Sequence, residues 1–314
     1  MEKVCFGIDV GGTTVKVGLF SEDGKLLHST EIPTRKEDDG AHILPDICVA
    51  IDKVLTDKEI NKDALLGVGI GIPGPVTNGG TVLNCVNLGW GIVKIEEKLS
   101  AMLNGIKVKA GNDANVAALG ENWQGGGQGF EDIVLVTLGT GVGGGIIIGN
   151  KIITGSNGAA GEIGHIPTVE GDDAELCGCG KKGCLETVGS ATGIVREAKK
   201  LLASNTMDSK LREIPGFTCK DVFDLAKDGD AAALMVVDKL AYYLGKSIAG
   251  ITAVTNPQVV VIGGGVSKAG KFLLDKIEEV YMEYAFHACK SVKFSLATLG
   301  NDAGMYGAAA LILD

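Results

Sequence analysis

Four side chains that commonly bind metal ions lie close together in the middle of the sequence. They are His165, Cys177, Cys179 and Cys184, with the spacing H-x11-C-x-C-x4-C. Three thiolates and one imidazole form a closed tetrahedral ligand set of the kind that holds a structural Zn²⁺, and neighbouring glycines allow the tight turns this needs. The alternative is three free thiols and an unrelated histidine, and the C-x-C step is shorter than usual. We expect a zinc site.

A carboxylate precedes the first of several glycine-rich turns. Asp9 is followed by a turn and a lysine, namely Gly11, Gly12, Thr13, Thr14 and Lys16. Successive backbone N–H groups in such a turn can bind a phosphate, and a carboxylate beside them can approach the accompanying Mg²⁺. We therefore expect this whole group, Lys16 included, to bind a phosphate-containing cofactor. The alternative is an ordinary β-hairpin with a Gly-Gly turn.

Two further glycine turns follow strand-like segments. Gly139–Gly144 fits the dinucleotide pattern G-x-G-x-x-G, but that pattern requires a following helix, whereas Ile146–Ile148 is typical of a strand. A second phosphate-binding hairpin fits better, and the Walker A pattern is absent. Gly263–Gly265 lies between a strand and a helix, where it could pack against a nucleotide base or form a plain turn.

Asn112 and Asp113 lie between a predicted strand and a predicted helix. Asp113 could be the N-cap of that helix, because Asp and Asn are favoured there. It could instead be a general base that accepts a proton from a hydroxyl group. Both roles are compatible only if Asn112 or water supplies the cap.

The elements that would position these residues alternate between strands and helices, which favours an α/β fold. The predicted strands are 4–10, 15–20, 66–72, 106–110, 133–138, 146–148, 259–262 and 293–299. The predicted helices are 43–55, 92–103, 114–123, 230–254, 272–284 and 303–313. The strand, glycine turn and strand at the N-terminus recur after residue 133, which indicates two similar halves. We expect a small domain of residues 1–113 plus 301–314 and a larger one of residues 114–300 with the zinc site.

Composition limits the class of function. The chain of 314 residues has 48 glycines and a net charge of −10, and this acidity argues against general nucleic-acid binding. No apolar run is long enough for a membrane helix, and the N-terminus does not resemble a signal peptide, so we expect a cytoplasmic protein. The other five cysteines are scattered among apolar neighbours as expected for buried thiols.

Taken together in order, the motifs resemble the ROK family of sugar kinases and repressors, most closely its bacterial glucokinases. The resemblance spans nearly the whole chain, and its most specific part is Gly158–His165 followed by Cys177–Glu186. The other segments that carry it are Asp9–Lys16, Gly69–Val76, Asn87–Trp90, Gly111–Glu121 and Thr137–Gly145.

The resemblance implies an actin-like, ribonuclease-H-like duplicated fold of two domains with a central cleft. It implies that Asp113 is the catalytic base and that the sugar is bound by Gly74, Asn87, Asn112, Glu162, His165 and Glu186. It assigns Thr13, Thr14, Thr140 and Gly141 to the ATP phosphates, and Gly264 and Gly265 to the adenosine end. It also implies that His165, Cys177, Cys179 and Cys184 bind zinc.

The expected activity is Mg²⁺-dependent transfer of a phosphoryl group from ATP to the 6-hydroxyl of glucose. Another hexose or N-acetylmannosamine as acceptor, and polyphosphate as donor, remain alternatives. A sugar-sensing repressor is a further alternative, but the first strand begins near Val4 and leaves no room for a helix-turn-helix module. The resemblance also suggests a homodimer with small-molecule substrates and no nucleic-acid or membrane partner.

Overall fold

A computed structural model describes residues 3–77, 79–204 and 206–313. The strands are β1 (Val4–Val10), β2 (Thr14–Ser21), β3 (Leu26–Pro33), β4 (Leu65–Ile72), β5 (Thr81–Val82), β6 (Val93–Lys94), β7 (Val108–Asn112), β8 (Ile133–Leu138), β9 (Val142–Ile148), β10 (Lys151–Ile152), β11 (Val259–Gly263) and β12 (Lys293–Leu296). The helices are α1 (Glu37–Gly40), α2 (Ile43–Asp57), α3 (Ile95–Met102), α4 (Asp113–Gln124), α5 (Glu186–Gly189), α6 (Ala191–Ser204), α7 (Cys219–Lys227), α8 (Ala231–Thr255), α9 (Lys271–Tyr284) and α10 (Ala303–Leu313).

The chain divides into two compact units. The first comprises Met1–Glu131, Gly145–Gly161 and Asn301–Asp314, and the second comprises Asp132–Gly144 and Glu162–Gly300. The boundary expected from the sequence, after Asp113, differs from this division at α4. This helix packs with α10 in the first unit, whereas the sequence-based boundary assigned it to the other domain.

The two large sheets share one plan. The first has the strand order β3-β2-β1-β4-β7, and the second has the order β10-β9-β8-β11-β12. In the first sheet β1 and β2 are antiparallel, while β4 pairs in parallel with both β1 and β7. In the second, β11 pairs in parallel with both β8 and β12. The repeated hairpins expected from the sequence are therefore part of two sheets with the same succession of strands.

The first unit owes its close packing to glycines inside regular elements. A Cβ atom on Gly69 of β4 would overlap the Ala308 carbonyl of α10, and one on Gly307 of α10 would overlap the Val116 carbonyl of α4. Helix α10 is therefore in backbone contact with both the sheet and α4. Apolar strands such as β1, in which Phe6 and Ile8 are fully buried, contribute the hydrophobic core of this unit. This packing fixes the ends of β1 and β7, where Asp9 and Asp113 lie.

The second unit is built around β11, in which every residue is buried. The 25-residue helix α8 packs beside α9 and ends where Asn256 adopts a left-handed conformation before Pro257. Helix α7 begins with a capping box in which Thr218 and Asp221 exchange hydrogen bonds. Within the described residues, no helix is long and apolar enough to cross a membrane.

Most predicted elements are present, and three of them show the largest differences in their bounds. The helix expected from Ile92 begins at Ile95, because Val93 and Lys94 pair with β5 as a strand. Strand β9 begins at Val142 rather than Ile146, and β12 ends at Leu296. The prediction missed the edge strand β3 and the helices α6 and α7.

Candidate active site

The first glycine turn joins β1 to β2 and holds Asp9 at its base. The Gly11 N–H donates to the Thr14 carbonyl at 2.9 Å, and the Thr34 hydroxyl donates to the Gly11 carbonyl at 2.7 Å. Thr13 and Thr14 are exposed on the turn. These two hydrogen bonds fix the backbone of the turn, while its threonines remain accessible to a ligand.

The Asp9 carboxylate lies against the first turn of α10. A Cβ atom on Gly304 would be 2.6 Å from Asp9 Cγ, so only glycine leaves room for the carboxylate. Burial and, next, the negative charge of Asp113 raise the pKa of Asp9, which Lys16 lowers, and the net result is a pKa of about 6. A cation that bound beside these two carboxylates would favour the ionised form of Asp9.

Lys16 faces the start of α10. Its ammonium group donates to the Asn301 carbonyl at 2.9 Å and to Asp302 Oδ1 at 2.7 Å, and it lies 3.8 Å from Glu31 Oε1. Only 19% of its side chain is exposed. In this arrangement Lys16 joins β2 to α10, which is a structural role beside the cofactor role expected for it.

Asn112, rather than Asp113, caps helix α4. The Asn112 side-chain oxygen accepts a hydrogen bond from the Asn115 N–H at 3.1 Å. Its amide nitrogen donates to the Gly74 carbonyl at 3.1 Å and to Asp113 Oδ1 at 2.9 Å. Asp113 Oδ1 also accepts from the Ala114 N–H at 2.8 Å. The carboxylate is therefore oriented by two donors, while the cap is supplied by its neighbour, as a base at this position requires.

Gly74 and Asn87 lie in the loops that follow β4. Gly74 has φ +100°, and a Cβ atom there would lie 2.7 Å from the Asn84 carbonyl oxygen. Asn87 is exposed in a single 3₁₀ turn, which is followed by the buried ring of Trp90, whose indole N–H donates to the Gly40 carbonyl at 3.3 Å. The described first unit therefore brings Gly74 into direct contact with Asn112 and leaves Asn87 accessible.

The second glycine turn, between β8 and β9, is held by the segment that begins α6. The Ala191 N–H donates to the Gly139 carbonyl at 2.8 Å, and the Thr192 hydroxyl donates to the Thr140 carbonyl at 2.9 Å. Thr140 itself is exposed. This turn, like the first, is fixed through its carbonyl groups.

Gly265 lines a cavity in the second unit, and Gly264 directly precedes it in the chain. Gly264 has φ +81°, and a Cβ atom there would overlap the Leu138 backbone. The adjacent cavity has a volume of about 670 Å³ and is lined mainly by apolar atoms. Its lining includes Thr192, Val195, Phe217, Cys219, Phe223, Gly265 and Val266. Its volume is within the range of small-molecule sites.

The sequence analysis did not identify most of this lining, because α6 and α7 were not predicted. Two signals in the sequence could have found these helices. Thr218 and Asp221 have the spacing of a capping box, and 191–204 places Ile194 and Ala198 on one helical face.

The four predicted metal ligands come together. His165 Nδ1 lies 3.6 Å from Cys177 Sγ, and Cys179 Sγ lies 3.6 Å from Cys184 Sγ. All four ligand atoms lie within 4.8 Å of one another. The edges of a Zn²⁺ tetrahedron with sulfur ligands are about 3.8 Å long, so the donor set and its spacing fit a zinc ion.

Ion pairs attach the loop that precedes the cysteines to helices α6 and α8. Lys239 of α8 lies 2.7 Å from the nearly buried Glu197 and 3.3 Å from Asp173, and Lys200 lies 2.5 Å from Glu175. Burial of Glu197 makes these contacts less exposed to solvent screening than an ordinary surface pair.

Two acidic side chains border the cluster. Glu162 Oε2 lies 3.9 Å from His165 Nε2, which is the ring nitrogen that faces away from Cys177. Glu186 Oε1 accepts from the Cys177 thiol at 3.6 Å, and Glu186 Oε2 accepts from the Val142 N–H at 3.1 Å. The second unit therefore groups Glu162, His165 and Glu186, the residues expected to bind sugar, around the metal cluster.

The ROK family model matches residues 5–314 of this chain. The chain belongs to the ROK family. The glucokinase of Halalkalibacterium halodurans is 45% identical over 311 residues, which cover 98% of this chain and 94% of that protein. The glucokinase of Thermotoga maritima is 37% identical over 312 residues, covering 98% of this chain and 96% of that one.

A crystal structure of a ROK family glucokinase from Streptomyces griseus, in complex with glucose and AMPPNP, is similar with a TM-score of 0.76. It is 34% identical, over 98% of each chain. The resemblance seen in the sequence is therefore confirmed, and so is the actin-like α/β fold with two domains that it implied. This ROK family member is a phosphotransferase of the sugar kinase type.

Proposed function

We propose that this protein is a glucokinase, which transfers the γ-phosphoryl group of ATP to the 6-hydroxyl of glucose. The observation that carries the proposal is the cap of α4. Because Asn112 satisfies the helix terminus, Asp113 can act as a base instead of a capping group. The full-length similarity to glucokinases supports glucose as the substrate.

Asp113 accepts the proton of the sugar hydroxyl as that oxygen attacks phosphorus. Its Oδ1 is held by Ala114 N–H and by the Asn112 amide, so the carboxylate does not have to reorient during the reaction. Phosphoryl transfer depends mainly on positioning and on charge stabilisation, and general-base catalysis typically contributes about 10²–10⁴ in rate.

The resemblance assigns the sugar hydroxyls to six residues. They are Gly74, Asn87, Asn112, Glu162, His165 and Glu186. Carboxylates, an imidazole and an amide supply both donors and acceptors, as a sugar with several hydroxyl groups requires.

The nucleotide is assigned to the glycine turns and to the cavity beside Gly265. The glycine turns offer N–H and hydroxyl donors to the phosphates from Gly11, Gly12, Thr13, Thr14, Thr140 and Gly141. The apolar lining of the cavity, which includes Phe217 and Val266, suits the flat face of an adenine base.

Two metal ions complete the proposal. Mg²⁺ bound with the nucleotide would lie near Asp9, whose ionised form it stabilises, and would offset charge on the transferred phosphate. Zn²⁺ would be held by His165, Cys177, Cys179 and Cys184, where it supplies structural cross-linking. With Nδ1 used as a ligand, the Nε2–H of His165 remains a fixed donor for sugar.

The test is a coupled assay of purified protein against glucose, fructose, allose, mannose and N-acetylmannosamine, with ATP or polyphosphate as donor. We expect the highest kcat/KM with glucose and ATP. A higher kcat/KM with another sugar would replace glucose as the assigned substrate. Failure to phosphorylate any of these sugars would refute the kinase assignment. Cytoplasmic location, a homodimer and a domain boundary after Asp113 stay predictions from the sequence.

A further inference from the structure

The chain from Cys184 to Thr192 has a metal ligand at one end and contacts to the second glycine turn at the other. We call residues 184–192 the linking segment. Cys184 belongs to the metal cluster, and α5 begins two residues later at Glu186. Ala191 and Thr192 donate to the carbonyl groups of Gly139 and Thr140. A few residues therefore separate the predicted zinc site from a predicted phosphate-binding turn.

Glu186 makes a second and more direct connection. Its Oε1 is 3.6 Å from Cys177 Sγ, and its Oε2 accepts from the Val142 N–H at 3.1 Å. A Cβ atom on Gly141 would overlap the same Oε2 atom. One carboxylate thus lies beside a metal ligand with one oxygen and packs against the glycine turn with the other. Zinc binding would remove the Cys177 proton and with it this hydrogen bond, and the repulsion between thiolate and carboxylate would favour the contact of Glu186 with the Val142 N–H in the turn.

These contacts restrain the backbone of the turn. It contains Gly139 and Gly141, and glycine loses more backbone freedom on ordering than any other residue. Ordering each residue costs conformational entropy, so phosphate binding is weakened by that cost unless other contacts order the turn beforehand. The carboxylate of Glu186 and the hydroxyl of Thr192 are contacts of this kind.

We propose that Glu186 is a positioning residue through which the His165/Cys177/Cys179/Cys184 metal centre strengthens nucleotide binding at the turn 139–141. The proposal rests on the proposed kinase function and adds a nucleotide-side role to the sugar-side role expected for Glu186. A coupling between two binding sites is reciprocal, so nucleotide must strengthen metal binding by the same factor.

The first test measures the dissociation constant of AMPPNP by calorimetry in the absence of sugar, with zinc-loaded and chelator-treated protein. We expect zinc removal to weaken AMPPNP binding to the wild type at least tenfold. In Glu186→Ala the same treatment should change the constant less than twofold. Glu170→Ala, which removes an exposed carboxylate from the loop that precedes the cysteines, is the matched control and should behave as the wild type.

Two results would overturn the proposal. One is an AMPPNP affinity that does not respond to zinc in the wild type. The other is an equal loss in the wild type and in Glu186→Ala, which would mean that zinc acts through general unfolding and not through this carboxylate. Circular dichroism of each chelated protein identifies such unfolding directly.

A double-mutant cycle tests the contact itself. Gly141→Ala should weaken AMPPNP binding at least tenfold in the wild type, because its Cβ atom meets the Glu186 carboxylate. In a Glu186→Ala background the same substitution should cost less than threefold. Additive effects would mean that the methyl group meets the phosphate and not Glu186, which would contradict the inference.

The reciprocal measurement uses zinc loss as its readout. The rate at which a chromophoric chelator removes zinc should fall in the presence of AMPPNP for the wild type, but not for Glu186→Ala. These binding readouts also separate the two proposals. A protein that phosphorylates glucose with a nucleotide affinity independent of zinc would refute only this inference, whereas zinc-dependent AMPPNP binding without phosphorylation of any sugar would refute only the glucokinase assignment.

Discussion

The Asn112 amide nitrogen donates to Asp113 Oδ1 at 2.9 Å while its side-chain oxygen caps the helix that Asp113 begins. One side chain therefore ends a helix and orients the neighbouring carboxylate. Asn112 also reaches the Gly74 carbonyl, so it connects the strand end at β7 to the loop after β4. The position of Asp113 depends on this network as much as on its own backbone.

Replacing Asp113 with Asn should lower kcat by about 10²–10⁴ and leave glucose affinity nearly unchanged, because an amide cannot accept the hydroxyl proton. Steady-state kinetics and equilibrium glucose binding measure the two effects. The exposed Asp57→Asn serves as the control and should retain activity. Wild-type turnover by folded Asp113→Asn would rule out the base assignment.

Substitution of Asn112 should separate capping from orientation. Asn112→Ala loses the cap and should reduce the free energy of unfolding by about 0.5–2 kcal/mol, whereas Asn112→Ser keeps a capping oxygen and should recover most of it. Both variants lose the amide donor to Gly74 and Asp113, so both should have reduced kcat. Denaturant unfolding and kinetics on the same samples test this, and full kcat in the serine variant would argue against the orienting role.

Asp9 should make stability depend on pH. Its pKa is raised from 3.8 to about 6 in the folded protein, so between these values the folded state binds the proton that the unfolded state has lost. Stability therefore falls as pH rises from about 4 to 6, and the cost at pH 7 is on the order of 3 kcal/mol. Asp9→Asn should be more stable than the wild type at pH 7, equal to it at pH 4, and less active. Unfolding midpoints that differ equally at both pH values would contradict this.

Loss of a metal ligand should affect stability and sugar binding together. Cys177→Ser should bind zinc much more weakly, unfold at a lower temperature and have a raised KM for glucose, because the loop that carries the cluster also carries His165 and Glu186. Cys48→Ser, which lies in α2 of the first unit, is the matched control. Metal analysis that finds no zinc in fully active wild-type protein would disprove the site.

Filling the cavity beside Gly265 should act on the nucleotide alone. Cys219 lines this cavity at the start of α7, and Cys219→Trp should raise the KM for ATP at least tenfold with little change in glucose affinity. Cys219→Ser preserves the volume and should bind ATP as the wild type does. An unchanged KM for ATP in the tryptophan variant would exclude the cavity as the adenosine site.

Local sequence signals were sufficient for the elements whose patterns are strong. The apolar run Val259–Ile262 predicted a buried strand, and the long periodic segment before Asn256-Pro257 predicted α8 with an error of one residue at each end. Patterns failed where pairing with a distant segment decides the structure. Val93 and Lys94 form a strand because they pair with β5. The helical spacing of the local sequence contains no information about that pairing.

The same distinction holds for the site. The spacing of the cysteines was enough to predict a cluster, because its ligands lie close together in the chain. The choice between base and cap at Asp113 needed the side-chain contacts of Asn112. The contact of Glu186 with Val142 joins residues 44 positions apart, and nothing in either local sequence indicates it.

The backbone contacts of α10 set an order of events during synthesis. The Cys5 thiol donates to the Ala309 carbonyl, a partner 304 positions later. At about 5–20 residues per second the ribosome needs roughly 15–60 s to cover that distance, and during this time the faces of β1 and β4 that contact α10 have no covering helix. The second unit ends at Gly300, so all of it is translated before α10. The strand that carries Asp9 is thus translated first, but the face that it presents to α10 is among the last surfaces of the protein to be covered.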